Sequence, residues 1–385
     1  MSAADAETFH LEEASLADVS KALDTGIVSS VELTVLYLNR VAAYDRHGPL
    51  LNAIPILNPD VLVEASVADE VRRAGGKSAL LGVPFTVKDS YKVKGLTVAA
   101  GSPAFASMIA DEDAFTIGRI RAAGGVLIGK TNMPPLAAGG MQKGVYGRAE
   151  SPYNGEYLTA GFNSGSSNGS ATATTANFAM FGMGKETVSS GRSPASNNAV
   201  IAYTPSRGML SIRGNWPLFP VRDVVVPHTR SVQDMLALLN VIEVTDPITV
   251  GDFWRDQKAV KLPSVESVRP ADFSTLARTG SLRGKRIGVP TMYIGKDDTG
   301  SQPIKVRPSV MALWRKAADD LRKLGAEVVE VDFDLMHEME VDRPGAQGPV
   351  KLGYFSDDWL FGPWNQPETK NKERLILIPY LAEQF

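Results

Sequence analysis

Apolar and polar positions along the chain fall into alternating stretches of helical and strand period. Leu33, Leu36, Tyr37, Val41 and Tyr44 recur every three to four residues or so, the spacing of one helical face. Ser29 with Glu32 opens that helix, and Ser15 with Asp18 opens an earlier one; each pair is spaced to satisfy the free N–H groups of a helix start. A third helix begins at Asn58 and Pro59, runs through Val67 and Val71, and stops at Gly75 and Gly76, which accept a left-handed backbone. Leu80 to Val87 is a short apolar run fit for a buried strand, and Gly124 to Ile128 is another, preceded by a helix around Phe115 to Ala122. Ala171 to Met183, apolar and alanine-rich, reads as a buried helix. Strands alternating with helices predict an α/β fold.

Beyond Ser190 the polarity rises. Residues 252–283, with mixed charge and scattered prolines, read as a long surface loop or insertion. Order resumes over about 284–335, where Arg286 to Pro290, Ser309 to Leu324 and Ala326 to Phe333 form one β-α-β unit. Tyr354, Phe355, Trp359, Phe361 and Trp364 near the end read as core, with pocket lining as the alternative.

The composition narrows the function classes. A chain of 385 residues that is 44% hydrophobic can bury a large core. Its net charge of -3 gives no basic field for a phosphate backbone or an anionic membrane, so neither nucleic acid nor membrane is an expected partner. No apolar stretch is long enough to span a bilayer and no leader pattern opens the chain, so a cytoplasmic location is expected. With no cysteine, a thiol nucleophile and thiolate metal sites are excluded. The four histidines, His10, His47, His228 and His337, include no pair spaced to share a helical face and read as surface or packing residues, so no metal is expected.

Two segments carry candidate chemistry. Asn163 to Ser170, NSGSSNGS, has the composition of a flexible linker, yet it runs directly into an apolar stretch, where a glycine-serine loop would present clustered N–H groups and hydroxyls to a ligand. Gly184 to Ala195, GKETVSSGRSPA, is an ordinary polar loop or the seat of a hydroxyl nucleophile. Such a hydroxyl needs a base. A lysine can serve if burial strips its proton, and Lys88, closing the run LLGVPFTV ahead of Asp89, is placed for that; a strand-end lysine reaching out to solvent is the alternative.

These residues resemble the amidase signature family, fungal-type free-standing amidases among them. The likeness runs from about Val31 to Ile242 through GVPFTVKDS at Gly82, GKTNM at Gly129, SPYN at Ser151, GSSNGSA at Gly165, GKETVSSGRSPA at Gly184, YTPSRGMLS at Tyr203 and HTRSVQDM at His228. Each string is short; their order and spacing together are specific. The resemblance implies one domain over 1–385 with its catalytic core in about 31–242 and a mixed central β-sheet covered by helices on both faces. It implies a triad of Lys88 as base, Ser166 as bridge and Ser190 as nucleophile. The backbone N–H groups of Thr187, Val188, Ser189 and Ser190 would form an oxyanion hole, with Gly165, Asp89 and Arg192 in support. A cis peptide between Gly165 and Ser166 and an acyl-enzyme on Ser190 are also implied, with no cofactor.

The chain departs from that pattern where Val188 and Ser189 replace two glycines ahead of the nucleophile, where TAGFNS leads into the bridging serine, and where the chain stops at Phe385, short of the family's usual length. Three functions follow as expectations. The first is hydrolysis of small carboxylic amides, with esters as a second class. The second is the glutaminase subunit of a tRNA-dependent amidotransferase. The third is a truncated, inactive relative that binds a ligand or partner.

Overall fold

A computed structural model of the chain describes residues 9–277, 281–296 and 306–332. His337 and the aromatic residues Tyr354 to Trp364 lie outside the described residues. Residues up to Ala277 form one compact unit, and the described residues after it form another.

In the first unit the capping signals act as written. Helix α1, Leu16–Asp24, follows Ser15, and α2, Ser30–Arg40, follows Ser29; both have the reciprocal capping box, with Asp18 and Glu32 closing it. A short strand β1, Ile56–Leu57, precedes α3, Val61–Arg73, and Gly75 after α3 takes φ +87°. The first buried run becomes strand β2, Pro84–Lys88, later than the apolar pattern suggests, because Gly82 at φ +73° turns the chain first. Helix α4, Phe115–Ala122, leads to β3, Val126–Thr131.

The stretch expected to be one helix over Ala171 to Met183 is a correction. Helix α5, Asn168–Thr175, starts inside the glycine-serine segment, Asn177 turns the chain at φ +57°, and Phe181–Glu186 is strand β4. A buried helix and a buried strand share the same apolar composition, and here partners on both sides settle it. β4 pairs in parallel with β2 and antiparallel with a later strand over Val224–Thr229. Helix α6, Arg192–Asn197, strand β5, Ile201–Ala202, β6, Val224–Thr229, and helix α7, Val232–Ile242, follow.

The six strands make one mixed sheet in the order β1-β3-β2-β4-β6-β5. In the β2/β4 register Phe85 faces Phe181 and Thr86 faces Gly182. Because side chains alternate along a strand, Phe85 and Val87 share one face, and Thr86 and Lys88 the other. On the first, Phe85 and Phe181 stack at 5.5 Å within a core that also holds Leu33, Tyr37 and Ile117. On the second, α5 rests directly on the sheet: a Cβ at Gly182 would stand 2.6 Å from Ser170 Oγ and 2.8 Å from Thr174 Oγ1. That close approach is what brings the start of α5 over Lys88.

The expected loop over 252–283 contains three short turns of helix, α8 at Phe253–Asp256, α9 at Val265–Val268 and a 3-10 turn at Phe273–Leu276, and Phe273 is buried. In the second unit β7, Arg286–Pro290, helix α10, Pro308–Lys323, and β8, Glu327–Val331, form the expected β-α-β unit with its strands parallel. No helix among the described residues is long and apolar enough to cross a membrane.

Candidate active site

Three lysines are fully buried in the sheet region: Lys88 ending β2, Lys130 in β3 and Lys185 in β4. Removing an ammonium from water is expensive, so a buried lysine keeps its charge only beside a counter-ion. Lys130 Nζ lies 3.0 Å from Asp89 Oδ1, and Lys185 Nζ lies 2.8 Å from Asp223 Oδ2. Lys88 has no carboxylate partner among the described residues. Its neighbours are Ser166 Oγ at 2.6 Å, Ser167 Oγ at 3.0 Å and the Lys185 carbonyl at 3.4 Å. Burial, followed by the nearby Lys185 cation, holds its amine well below the ordinary lysine range, against the opposing pull of Asp223 and Glu186.

The hydrogen bonds then bear on where the amine's lone pair points. A neutral amine has two N–H groups and one lone pair. Ser167 Oγ donates to the Lys185 carbonyl at 2.9 Å and accepts the Lys185 N–H at 3.1 Å, which leaves it one acceptor position, facing Lys88. The Lys185 carbonyl can only accept. In the neutral form, N–H groups directed to Ser167 and the Lys185 carbonyl would leave the lone pair for the Ser166 hydroxyl. Ser167 is a residue that sequence reasoning passed over; the doubled serine in GSSNGS was its only signal.

Ser166 and Ser167 sit at the entry to α5, where Gly165 packs against Gly140 so tightly that a Cβ on Gly165 would overlap the Gly140 backbone. The expected cis bond is absent: Gly165–Ser166 is trans, as is every peptide bond among the described residues. Trans is the ground state of a non-proline peptide, and in that form Ser166 already reaches Lys88.

Ser190 lies in the turn that leaves β4. Its carbonyl accepts the Ser167 N–H at 3.0 Å, so the two serine segments lie side by side. No hydrogen bond joins the Ser166 and Ser190 hydroxyls; the structure brings Ser190 against this cluster through its backbone. The N–H groups of Thr187, Val188, Ser189 and Ser190 donate to no acceptor among the described residues. Neither Val188 nor Ser189 takes a positive φ, so the loop makes no demand that only glycine could meet. Ser189 Oγ lies 2.9 Å from Ser164 Oγ.

The loop's shape is set by Arg192, which the resemblance put in support, and by Glu186, Asp223 and His228, to which it gave no such role. Glu186 accepts the N–H groups of Gly191 at 3.0 Å and Arg192 at 2.9 Å, and pairs with Arg192 Nε at 2.8 Å. Arg192 thus braces the loop from a largely exposed position. Thr187 donates its hydroxyl to Asp223. His228 on β6 is fully buried beneath the turn, with Nε2 3.0 Å from the Gly191 carbonyl and Nδ1 3.0 Å from Ser170 Oγ. Burial pushes its imidazole down to about 4, so at neutral pH Nε2–H donates to Gly191 and Nδ1 accepts from Ser170. His10 and His47 are exposed. Asp89 reaches Lys130 and the Gly101 N–H, not Lys88.

A model of the amidase family matches residues 32–342. One relative, a glutamyl-tRNA(Gln) amidotransferase subunit of Cereibacter sphaeroides, is 30% identical over 83% of this chain and 60% of its own length. Its counterpart in Methylobacillus flagellatus is 33% identical over 82% and 59%. Among solved structures, the peptide amidase of Stenotrophomonas maltophilia superposes with a TM-score of 0.73 at 30% identity, covering 98% of this chain and 76% of that one. The chain thus spans about three-fifths of the length of the two amidotransferase subunits. Since the matched residues contain the whole six-stranded sheet, α5 and the serine turn after β4, this chain belongs to the amidase family.

Proposed function

We propose that this chain hydrolyses carboxylic amides through an acyl-enzyme on Ser190, with Ser166 relaying the proton to Lys88. One observation carries the reading: Lys88 is a fully buried amine without a counter-ion among the described residues, and its Nζ lies 2.6 Å from the Ser166 hydroxyl oxygen. Such an amine is a base at neutral pH.

In the reactive complex Ser190 Oγ approaches Ser166 Oγ; catalytic hydrogen bonds are commonly loose until substrate is bound. As Ser190 Oγ attacks the amide carbon, its proton passes to Ser166 Oγ, whose own proton passes to Lys88. The carbonyl oxygen gains the charge and meets the unpaired N–H groups of residues 187–190, each well-aimed donor contributing about 3 to 4 kcal/mol. Collapse breaks the C–N bond, and the nitrogen leaves with a proton returned along the same two residues. Water, deprotonated by the same relay, then attacks the ester and frees Ser190.

The substrate is a small carboxylic amide, a class that includes the peptide amides named for the Stenotrophomonas relative. Replacing Ser190 with alanine in a chain that still melts cooperatively should abolish ammonia release from such amides and labelling by a fluorophosphonate. Undiminished turnover would refute the assignment.

A second reading is favoured by the amidotransferase subunits among the relatives. In it the same residues release ammonia from glutamine for a partner protein. Glutamine hydrolysis that appears only when the other amidotransferase subunits are added supports it. Turnover of peptide amides by the chain alone supports the first.

A further inference from the structure

The buried lysine next to the relay carries an inference that rests on the reading just given. Lys185 belongs to the surroundings of Lys88 through its backbone: its carbonyl accepts from Lys88 and Ser167, and its N–H donates to Ser167. Its side chain turns to Asp223 at 2.8 Å, and both side chains are about 1% exposed. Asp223 also accepts from the Thr187 hydroxyl and from the N–H groups of Leu218 at 2.9 Å and Phe219 at 3.2 Å. Four donors converge on that carboxyl. Burial pulls the Lys185 amine below the ordinary lysine range, and Asp223 at 2.8 Å opposes that by favouring the ammonium where water cannot screen the pair.

We propose that the Lys185–Asp223 pair is a positioning device for the reaction: the Lys185 ammonium disfavours a second positive charge at Lys88 and so keeps the base neutral, while Asp223 anchors Thr187 at the start of the oxyanion loop. Other charged or titratable groups near Lys88 among the described residues have partners of their own, the buried Tyr91 hydroxyl donating to the Gly184 carbonyl. Glu186 on β4 is committed to Gly191 and Arg192, His228 on β6 is neutral, and on the β3 side Lys130 and Asp89 neutralise one another. Of the neighbouring charges, Lys185 acts most strongly on the Lys88 amine, with Asp223 and Glu186 opposing it.

The test measures the second-order rate of Ser190 labelling by a fluorophosphonate against pH for three proteins: the unsubstituted chain, Lys185→Met, and Lys185→Met with Asp223→Asn. The acid limb of the profile reports protonation of Lys88. In Lys185→Met it moves to higher pH by on the order of 1 unit, the usual effect of one neighbouring charge, so labelling on the original limb falls about tenfold. The double variant moves it the same way by less, because no unpaired anion remains to attract a proton to Lys88. That variant leaves no unpaired buried charge and keeps the test open if the single one fails to fold. The limb is the readout because loosened packing alone lowers the alkaline plateau and leaves the limb in place. An unmoved limb in the folded double variant overturns the proposal and spares the reading of Ser190, whereas an unsubstituted chain that takes no label overturns both.

Discussion

Acidification from pH 7 to pH 5 should destabilise the first unit through His228. An exposed imidazole in the unfolded chain titrates near 6.5, and burial lowers the folded value to about 4. Between those values the unfolded chain binds a proton that the folded chain refuses, so stability rises with pH across the window. The contribution is complete above the unfolded value and lost as pH falls through the folded one. Integrating between pH 7 and pH 5 gives a loss of about 2 kcal/mol, and taking the pH below 4 brings the total to about 3 kcal/mol. The strain falls on the serine turn after β4, because a protonated Nδ1 can no longer accept from Ser170 while Nε2 still holds Gly191. Urea unfolding followed by circular dichroism at both pH values, on the chain and on His228→Gln, isolates the effect. Buried Asp45, Asp89 and Asp252, whose carboxyls burial pushes up, titrate toward the opposite sign but do so in both proteins. Equal losses in the chain and the variant, within about 0.5 kcal/mol, would show that His228 is not the group responsible.

Other substitutions probe the base and the seat of α5. Lys88→Met should lower kcat/KM by at least ~100-fold, the smaller end of general-base contributions, without lowering the melting temperature, since an apolar side chain replaces a buried amine that has no counter-ion among the described residues; a retained rate would remove Lys88 from the reaction. Because that amine must be neutral, hydrolysis by the unsubstituted chain should fall on the acid side of its depressed pKa and recover fully on raising the pH, which a rate profile on a chain kept folded throughout will show. Gly182→Ala should cost ~1 to 3 kcal/mol by forcing α5 off the sheet, and activity should fall with it because α5 carries Ser166 and Ser167 at its entry; calorimetry showing no loss would mean the helix can shift freely.

Local signals in this chain were readable because cause and effect lie within one turn of backbone. Ser15 with Asp18 and Ser29 with Glu32 satisfy the N–H groups of the helices they open, and those helices stand where the pairs put them. The helix over Phe115–Ala122 and the β-α-β order of the second unit were legible for the same reason, since period and glycine stops are properties of neighbouring residues. Lys88 could be singled out because an unbroken apolar run led up to it.

What only the tertiary structure decided is which buried groups have partners. Lys88, Lys130 and Lys185 all end or interrupt apolar runs, and nothing in their neighbours along the chain says that Asp89 and Asp223 will neutralise two of them and leave the third without a counter-ion among the described residues. Ser167 and His228 were equally silent, because a hydroxyl or an imidazole acquires its role from atoms brought up by another strand. Ala171 to Met183 divided into helix and strand for the same reason: its composition suits either, and the choice fell to β2 and β6, which lay ready on either side to accept β4. Local sequence sets what each segment can do, and desolvation at the shared centre of the sheet, a property of the assembled chain alone, determines the charge each side chain carries.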